Sequence, residues 1–173
     1  MYYFLTASKD TTIFSQQPVQ NTGLDEILEV SKVYYGNLKD TARSLVKFDL
    51  NTLPSKLSSG AVTMSEAQII LRETQPSEIA LAYSLHIHPI SQSWEMGVGT
   101  RFDNISVDGC TWNYRSSGSK WLPTEVPNGG LATGSYDGRG GMWYTSSEQT
   151  QSYEYQSTDL QVDVSSSLSF WLD

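Results

Sequence analysis

In this 173-residue chain, two histidines have the residue type and spacing that best match a metal-binding or catalytic site. His86 and His88 stand two apart in a predicted strand, so both imidazoles would lie on the same face, as in the metal pairs of some β-sandwich enzymes. The spacing supplies no third ligand. The simpler interpretation is two histidines on a solvated strand face, and we predict neither a metal site nor a catalytic residue there.

Other catalytic signatures are missing from the sequence. It has no P-loop, no HExxH motif and no Gly-x-Ser-x-Gly motif. Acidic neighbours such as Asp25 and Glu26 would point to opposite faces of a strand, and no other pair of carboxylates is singled out as a glycosidase dyad. We therefore predict that the protein is not an enzyme.

Aspartates near glycine-rich loops form a second possible ligand set. Asp103, Asp108 and Asp137 carry the hard carboxylate oxygens that calcium binds, but their spacing matches no EF-hand or RTX repeat. We predict no cofactor, and a structural calcium ion is the alternative to aspartates that simply face solvent in turns.

Aromatic residues beside loops could bind a sugar ring or a partner protein, because a flat exposed ring stacks well on either. The candidates for such glycan or partner contacts are Trp121, Trp143, Tyr144 and Tyr153. Packing in the core is the default interpretation for each tryptophan.

Composition excludes several classes of protein. Eleven Lys and Arg against nineteen Asp and Glu give a net charge of −8, which argues against a nucleic-acid-binding surface. The single cysteine, Cys110, excludes an intramolecular disulfide, and we expect it to be a small buried apolar residue. No stretch approaches the roughly 20 apolar residues that span a bilayer, and the first residues lack the pattern of a signal peptide.

Alternating strands are the elements that would position these residues. Residues 80–90 have the clearest pattern, with Leu81, Tyr83, Leu85 and Ile87 on one face and the two histidines on the other. The predicted strands are residues 2–7, 12–15, 26–33, 42–50, 64–73, 80–90, 142–145, 152–156 and 159–164, with helical turns at 52–58 and after Ser165.

The connections complete the predicted fold. Residues 16–23 are a predicted loop, residues 34–41 a hairpin connection and residues 122–141 a long surface loop. Residues 93–121 form a crossover whose tryptophans are expected to anchor it to a core while its glycines allow tight bends. We predict an all-β chain, an antiparallel two-sheet β-sandwich of jelly-roll type with one or two short helical turns, as a single domain over residues 1–173.

Five segments of the sequence resemble a known family. They are RSLVKFDL at 43–50, SQSWEMGVG at 91–99, GCTWNYR at 109–115 followed by Trp121, GGMWY at 140–144 and DLQVDVSSSLSFWL at 159–172. Together they resemble the DNRLRE-type β-sandwich, which is similar to carbohydrate-binding modules. The nearer likeness is to the N-terminal regions of virion structural proteins of tailed phages, especially cyanophage-like myoviruses.

This resemblance implies a structural, non-enzymatic virion protein of the tail, baseplate, neck or fibre. Its expected partners are other virion proteins in a symmetric homo-oligomer, together with a host surface glycan if it lies in a receptor-facing fibre. Membrane insertion is not expected. Assembly in the host cytoplasm, and location in the virion, fit a sequence without a signal peptide. The alternative function is that of a carbohydrate-binding module, which recognises a polysaccharide by aromatic stacking.

The resemblance also predicts how long the whole protein is and which surfaces contact its partners. Family members continue for a further strand or two beyond the segment at 159–172, so we expect this chain to be the N-terminal part of a longer protein. The alternative is that a partner chain completes the sheet. The N-terminal strand region and the loop at 122–141 are the expected contact surfaces.

Overall fold

The computed structural model describes residues 2–74, 82–122, 139–143, 149–153, 159–166 and 168. Strand residues outnumber helical residues here and the paired strands are antiparallel, which confirms the all-β class. The elements in chain order are β1 (Ala7–Phe14), β2 (Ser31–Tyr35), β3 (Leu38–Phe48), α1 (Leu53–Ser58), β4 (Gln68–Arg72), β5 (Tyr83–Ile87), β6 (Tyr114–Ser116), β7 (Ser119–Lys120), β8 (Gln149–Tyr153) and β9 (Asp159–Asp163).

The chain forms two compact units. The first consists of Met1–Asp49 and Ile90–Trp143, and the second of Leu50–Pro89 and Tyr144–Asp173. Each unit therefore takes two separate stretches of sequence. In the described part of the chain, no helix is both long enough and apolar enough to cross a bilayer.

A three-stranded sheet in the order β1-β3-β2 organises the first unit. The central strand β3 is eleven residues long, and it pairs with β1 from Phe14 opposite Ala42 to Ala7 opposite Phe48. The predicted break between strands at residues 2–7 and 12–15 is wrong, because pairing with β3 holds residues 7–14 in one strand with a bulge between Ala7 and Lys9.

Both faces of the sheet are covered where residues 11–14 of β1, all buried, pair with β3. On the side of Phe14, the backbone N–H of Glu29 donates to Thr12 Oγ1 at 3.0 Å, and the Arg101 guanidinium lies 4.1 Å from the Phe14 ring. On the opposite side, Arg43 lies against Trp112 and Trp143. We call these the Phe14 side and the Arg43 side.

A buried asparagine joins the distant segments of the first unit. Asn21 is 0% exposed, its Nδ2 donates to the carbonyl oxygens of Met96 and Cys110 at 2.7 Å each, and its Oδ1 accepts from the N–H groups of Gly23 and Gly99 at 3.2 and 2.8 Å. All four hydrogen-bonding positions of the amide are thus used, which is what makes burial of so polar a group tolerable.

Glycine is required around this asparagine. A Cβ at Gly97 would come within 2.4 Å of Asn21 Oδ1 and 2.2 Å of the Asp108 carbonyl oxygen, and φ of Gly97 is +78°. A Cβ at Gly99 would lie 2.4 Å from the Asn21 carbonyl oxygen. The loop predicted at residues 16–23 therefore enters the core, because glycines on the opposing segment let two backbones meet.

The crossover at residues 93–121 anchors to this core as expected. Trp94 and Trp121 are buried, and the Trp121 indole N–H donates to the Thr111 carbonyl oxygen at 3.1 Å. The sequence analysis missed the short hairpin formed by β6 and β7, which turns at Gly118 with φ of +72°.

The second unit contains α1 and two antiparallel pairs, β4 with β9 and β5 with β8. Ile69 and Leu71 of β4 are half-buried between exposed neighbours, and Leu85 and Ile87 of β5 alternate in the same way, which confirms the period-2 prediction for both strands. Both strands are shorter than predicted, and β8 begins at Gln149 rather than at residue 152.

Helical residues occur at both predicted positions of this unit, at 53–58 and from Ser165. The N-cap of α1 is Thr52, and Pro54 lies in the first turn. At the later turn, the Asp163 carboxylate accepts from the Ser165 N–H at 2.8 Å and from its hydroxyl at 2.6 Å. These bonds lower the pKa of Asp163.

Candidate functional site

Trp143 is held against an arginine rather than standing alone. The Arg43 guanidinium lies 4.7 Å from the ring centre of Trp112 and 4.5 Å from that of Trp143, and it donates to the Gly140 carbonyl oxygen. Burial lowers the pKa of Arg43. This contact occupies part of the Trp143 ring that a sugar would otherwise meet, and it gives the residue a packing role.

Trp121 is a core residue in this structure. Its side chain is 1% exposed and its indole N–H is satisfied within the chain, so neither ring face reaches solvent. Of the other two predicted contact residues, Tyr144 lies outside the described residues, and only the backbone of Tyr153 is described, paired with Tyr83 at the end of β8. The four aromatics are therefore not seen as one exposed binding surface.

The residues considered for metal binding are not brought together. His86 is exposed on β5 and His88 is half-buried just after it. Asp103 and Asp108 are exposed and accept hydrogen bonds from Thr100 and Ser117, while Asp137 lies outside the described residues. Where the structure describes the chain, no three His, Cys, Asp or Glu side chains form a group suited to a metal ion.

Cys110 is buried at 0% exposure beside the Asn21 network, as the sequence analysis expected. Burial raises the pKa of its thiol, because the apolar surroundings disfavour a thiolate. The protonated, inaccessible sulfur has the environment of a structural residue and lacks that of a nucleophile.

The surface feature that stands out is the hairpin formed by β2 and the start of β3. Tyr35 pairs with Leu38, so the connection is only Gly36 and Asn37, with φ of Gly36 at +60°. The prediction of a connection over residues 34–41 is wrong because most of those residues belong to the strands. All eight residues from 32 to 39 are exposed, and we call this segment the hairpin arm.

The two faces of the hairpin arm differ in chemistry. Directly opposed residues share a face, so Lys39 lies opposite Tyr34 on the face that also holds Lys32, whose Nζ is 5.9 Å from the Tyr34 ring centre. The other face carries Val33, Tyr35 and Leu38, and the last two are 67% and 65% exposed. The arm therefore presents a basic-aromatic face and an apolar face, neither of them covered.

A second exposed surface consists of residues 24–30 and 98–108, which we call the acidic patch. The two segments are joined where the Leu24 N–H donates to the Gly99 carbonyl oxygen and the Arg101 N–H donates to Asp25 Oδ1, at 2.9 and 3.0 Å. Its exposed apolar side chains are Leu24, Ile27, Val30, Val98, Phe102, Ile105 and Val107.

Charge distinguishes the acidic patch from the hairpin arm. The patch contains five acidic residues and one arginine, 1 − 5 = −4, whereas the arm contains Lys32 and Lys39 and no acid, +2. Arg101, the cation of the patch, is paired with Glu29 and lies 5.3 Å from the ring centre of Phe102. The arm is thus a local reversal of charge on a chain of net charge −8.

Sequence reasoning did not identify either surface. One available signal was Gly-Asn at residues 36 and 37 between two runs of strand-forming residues, which is typical of a two-residue hairpin connection. A second was the clustering of Phe102, Ile105 and Val107 among polar loop residues. Whether such residues face the core or the solvent depends on contacts between distant segments.

Comparisons with models of known families, with curated proteins and with solved structures found no match to this chain.

Proposed function

We propose that this chain is a structural, non-enzymatic component of a bacteriophage particle, acting through protein–protein contacts in a tail, baseplate, neck or fibre. In this proposal its strands build a jelly-roll-like β-sandwich and its surface, rather than a pocket, does the work. The observation that carries the proposal is the hairpin arm, a segment of eight exposed residues with a tyrosine on each face.

Exposed aromatics on a rigid element support a role in assembly. Tyr34 and Tyr35 are 62% and 67% exposed, and tyrosine is enriched among the residues that dominate protein interfaces because it buries a large area with little loss of side-chain freedom. The arm continues directly from the central strand β3, so its backbone is held in place by hydrogen bonds before any partner binds. Such preorganisation lowers the cost of association.

That the assembly is a phage particle is suggested by the resemblance of the sequence to virion structural proteins. The alternative, a carbohydrate-binding module, depends on exposed aromatic rings at the predicted positions. Trp121 is buried and Trp143 is stacked against Arg43, so these two residues give the alternative less support than the arm gives to protein contacts.

Mass spectrometry of purified particles, from a phage that encodes this chain, tests the proposal. We expect peptides of the chain in particles that have been washed and banded, in a constant ratio to the major capsid protein. Absence of the chain from particles, with the product found free in the lysate, would overturn the proposal. A glycan array probed with the same purified chain would then test the alternative function.

A further inference from the structure

The outer edge of β2, which we call the β2 edge, has backbone groups available for pairing. Tyr35 and Leu38 close a two-residue connection, so they form a hydrogen-bonded pair, and such pairs alternate with non-hydrogen-bonded pairs along the hairpin. Lys32 and Tyr34 belong to the non-hydrogen-bonded pairs, so their backbone N–H and C=O groups point away from β3. Thr41, opposite Lys32, turns away in the same manner, and its carbonyl oxygen accepts from the backbone of the residue that follows β1, at 2.9 Å. Among the strands that the structure describes, none pairs with the β2 edge.

The basic face of the β2 edge belongs to the Arg43 side of the sheet. Lys39 is four positions from Arg43 on β3, so their side chains share a face, and strand pairing adds Tyr34 and Lys32 to that face. Both lysines are exposed. The ion pairs found among the described residues use other cations, so neither lysine is neutralised within that part of the chain.

The apolar face of the β2 edge belongs to the Phe14 side. Val33 and Tyr35 lie on it together with Leu38, and all three side chains are exposed. Asp40 is directly opposite Val33 on this side, and the acidic patch, whose arginine lies against Phe14, is on the same side. A carboxylate would therefore meet like charge on the Phe14 side and opposite charge on the Arg43 side.

We infer that the β2 edge binds an extended segment of another protein of the particle, in which acidic and apolar residues alternate. This segment would add to the sheet as a further strand, with its acidic side chains on the Arg43 side and its apolar side chains on the Phe14 side. Strand addition takes affinity from backbone hydrogen bonds and specificity from alternate side chains. A shift of one residue would carry every carboxylate to the acidic side, so the register is specified. The inference rests on the proposed function and deepens it, because it names the mode of contact and the chemistry of the partner.

Charge favours an acidic segment over a second copy of β2 as the added strand. β2 contains no acidic residue, so a second copy of it would offer nothing to neutralise Lys32 and Lys39. Individual exposed ion pairs contribute little energy, so backbone pairing and contact with Tyr35 would supply most of the affinity. The lysines would select the partner and its register, and binding should weaken without vanishing as salt concentration rises.

Calorimetric titration of the full chain with synthetic peptides tests the inference. The alternating probe is a capped seven-residue peptide with Asp at its odd positions and Val at its even positions, and the block probe has the same residues with all Asp before all Val. Electrostatic attraction alone would not distinguish the two probes, whereas strand addition requires alternation. We expect the dissociation constant of the alternating probe to be at least tenfold lower.

N-methylation of the alternating probe tests the backbone pairing without changing the protein. Directly opposed residues share a face, so the Asp residues of the probe would lie opposite Lys32 and Tyr34, with their N–H groups toward β2, and the Val N–H groups would face away. Methyl groups on the Asp amides should therefore raise the dissociation constant at least tenfold. Methyl groups on the Val amides should leave it unchanged.

Charge reversal in the chain supplies the matched comparison. Lys32→Glu with Lys39→Glu should weaken binding of the alternating probe at least tenfold, whereas Lys47→Glu with Lys120→Glu, the same charge change at exposed positions outside the arm, should not. Circular dichroism should show both variants folded. The inference is overturned if the alternating probe does not bind, if the block probe binds equally well, or if the two methylated probes behave alike. None of these results affects the detection of the chain in particles, so the inference and the proposed function can fail separately.

Discussion

At the scale of single residues, Asn21 is the polar side chain on which the first unit depends. It bonds to the backbones of Met96, Gly99 and Cys110, which are more than seventy positions away in sequence. The side-chain amide of Asn21 thus satisfies backbone groups of these segments that would otherwise need a neighbouring strand as their hydrogen-bond partner. Its burial is stable only because each of its donors and acceptors has a partner.

Replacing Asn21 by alanine should destabilise the protein by about 3 kcal/mol or more, because it leaves several buried backbone groups without partners at about 1–3 kcal/mol each. Urea unfolding followed by tryptophan fluorescence would measure the loss. The control is Asn104→Ala at an exposed loop position, for which we expect a change within about 0.5 kcal/mol. Equal stability of the two variants would contradict the role given to Asn21.

Gly97→Ala isolates the effect of close backbone approach from that of backbone conformation. Gly97 and Gly118 have φ of +78° and +72°, so alanine at either costs about 1 kcal/mol in the left-handed region. Only at Gly97 would the new Cβ meet backbone, at 2.2 Å, whereas nothing lies within 4 Å at Gly118. We expect Gly97→Ala to lower the thermal midpoint far more than Gly118→Ala, and similar midpoints would show that the contact is not tight.

The Arg43 stack predicts that lysine cannot replace arginine. A guanidinium plane contacts Trp112 and Trp143 together, whereas an ammonium group cannot stack on the two rings in the same way. Arg43→Lys should cost about 1–3 kcal/mol on the scale of desolvated cation–π contacts and shift the tryptophan emission spectrum. The exposed Arg72→Lys is the control, and an unchanged stability and spectrum at Arg43→Lys would argue against the stack.

At the scale of elements, the sheet β1-β3-β2 changes character along its length. It is covered on both faces around the buried residues 11–14 of β1, and its hairpin end is exposed on both. Buried strand residues and the exposed hairpin arm thus belong to one continuous set of paired strands. This arrangement separates the residues that fold the chain from those available to a partner.

A triple substitution in the hairpin arm tests that separation. Val33→Ser, Tyr35→Ser and Leu38→Ser together should change the free energy of unfolding by no more than about 1.5 kcal/mol, since surface substitutions typically contribute within 0.5 kcal/mol each. Ile13→Ala, at a fully buried position of the same sheet, should cost about 2–5 kcal/mol. If the triple variant unfolds as readily as Ile13→Ala, the arm is part of the folding core.

The sequence predicted the regular strands better than the first unit's core. Alternation identified β4 and β5 because one face of each is half-buried and the other is exposed. It did not identify the burial of Thr12, Asn21 and Thr22, since polar side chains of these types are mostly exposed in folded proteins. Their burial depends on hydrogen bonds to one another and to distant backbone, which no local pattern encodes.

The hairpin arm and the acidic patch could not be predicted from the sequence for a related reason. Tyr34, Tyr35 and Leu38 have the residue types of a core strand, and only the lack of covering segments makes them exposed. Conversely, Trp121 has the type expected of a sugar-binding surface and is buried. Residue type predicts that a side chain will be covered, but not whether its own chain or a partner covers it.

At the scale of the whole molecule, the chain is acidic, and the hairpin arm is the basic, aromatic segment through which we propose that it assembles. Repulsion between copies of net charge −8 disfavours random aggregation, and Lys32 and Lys39 reverse the sign of the charge locally on the arm. A protein that is repeated in a particle needs both properties, because it must stay dispersed until it meets its correct neighbour.

Hydroxyl-radical footprinting of the hairpin arm, in purified particles and in the isolated chain at low concentration, tests the central claim most directly. Tyr34 and Tyr35 are exposed in the isolated chain and should be oxidised readily there, with buried Trp121 as the internal reference. We predict that particles contain the chain and that oxidation of the two tyrosines falls at least several-fold in them. A chain absent from particles, or present with both tyrosines oxidised as fast as in isolation, would contradict the account.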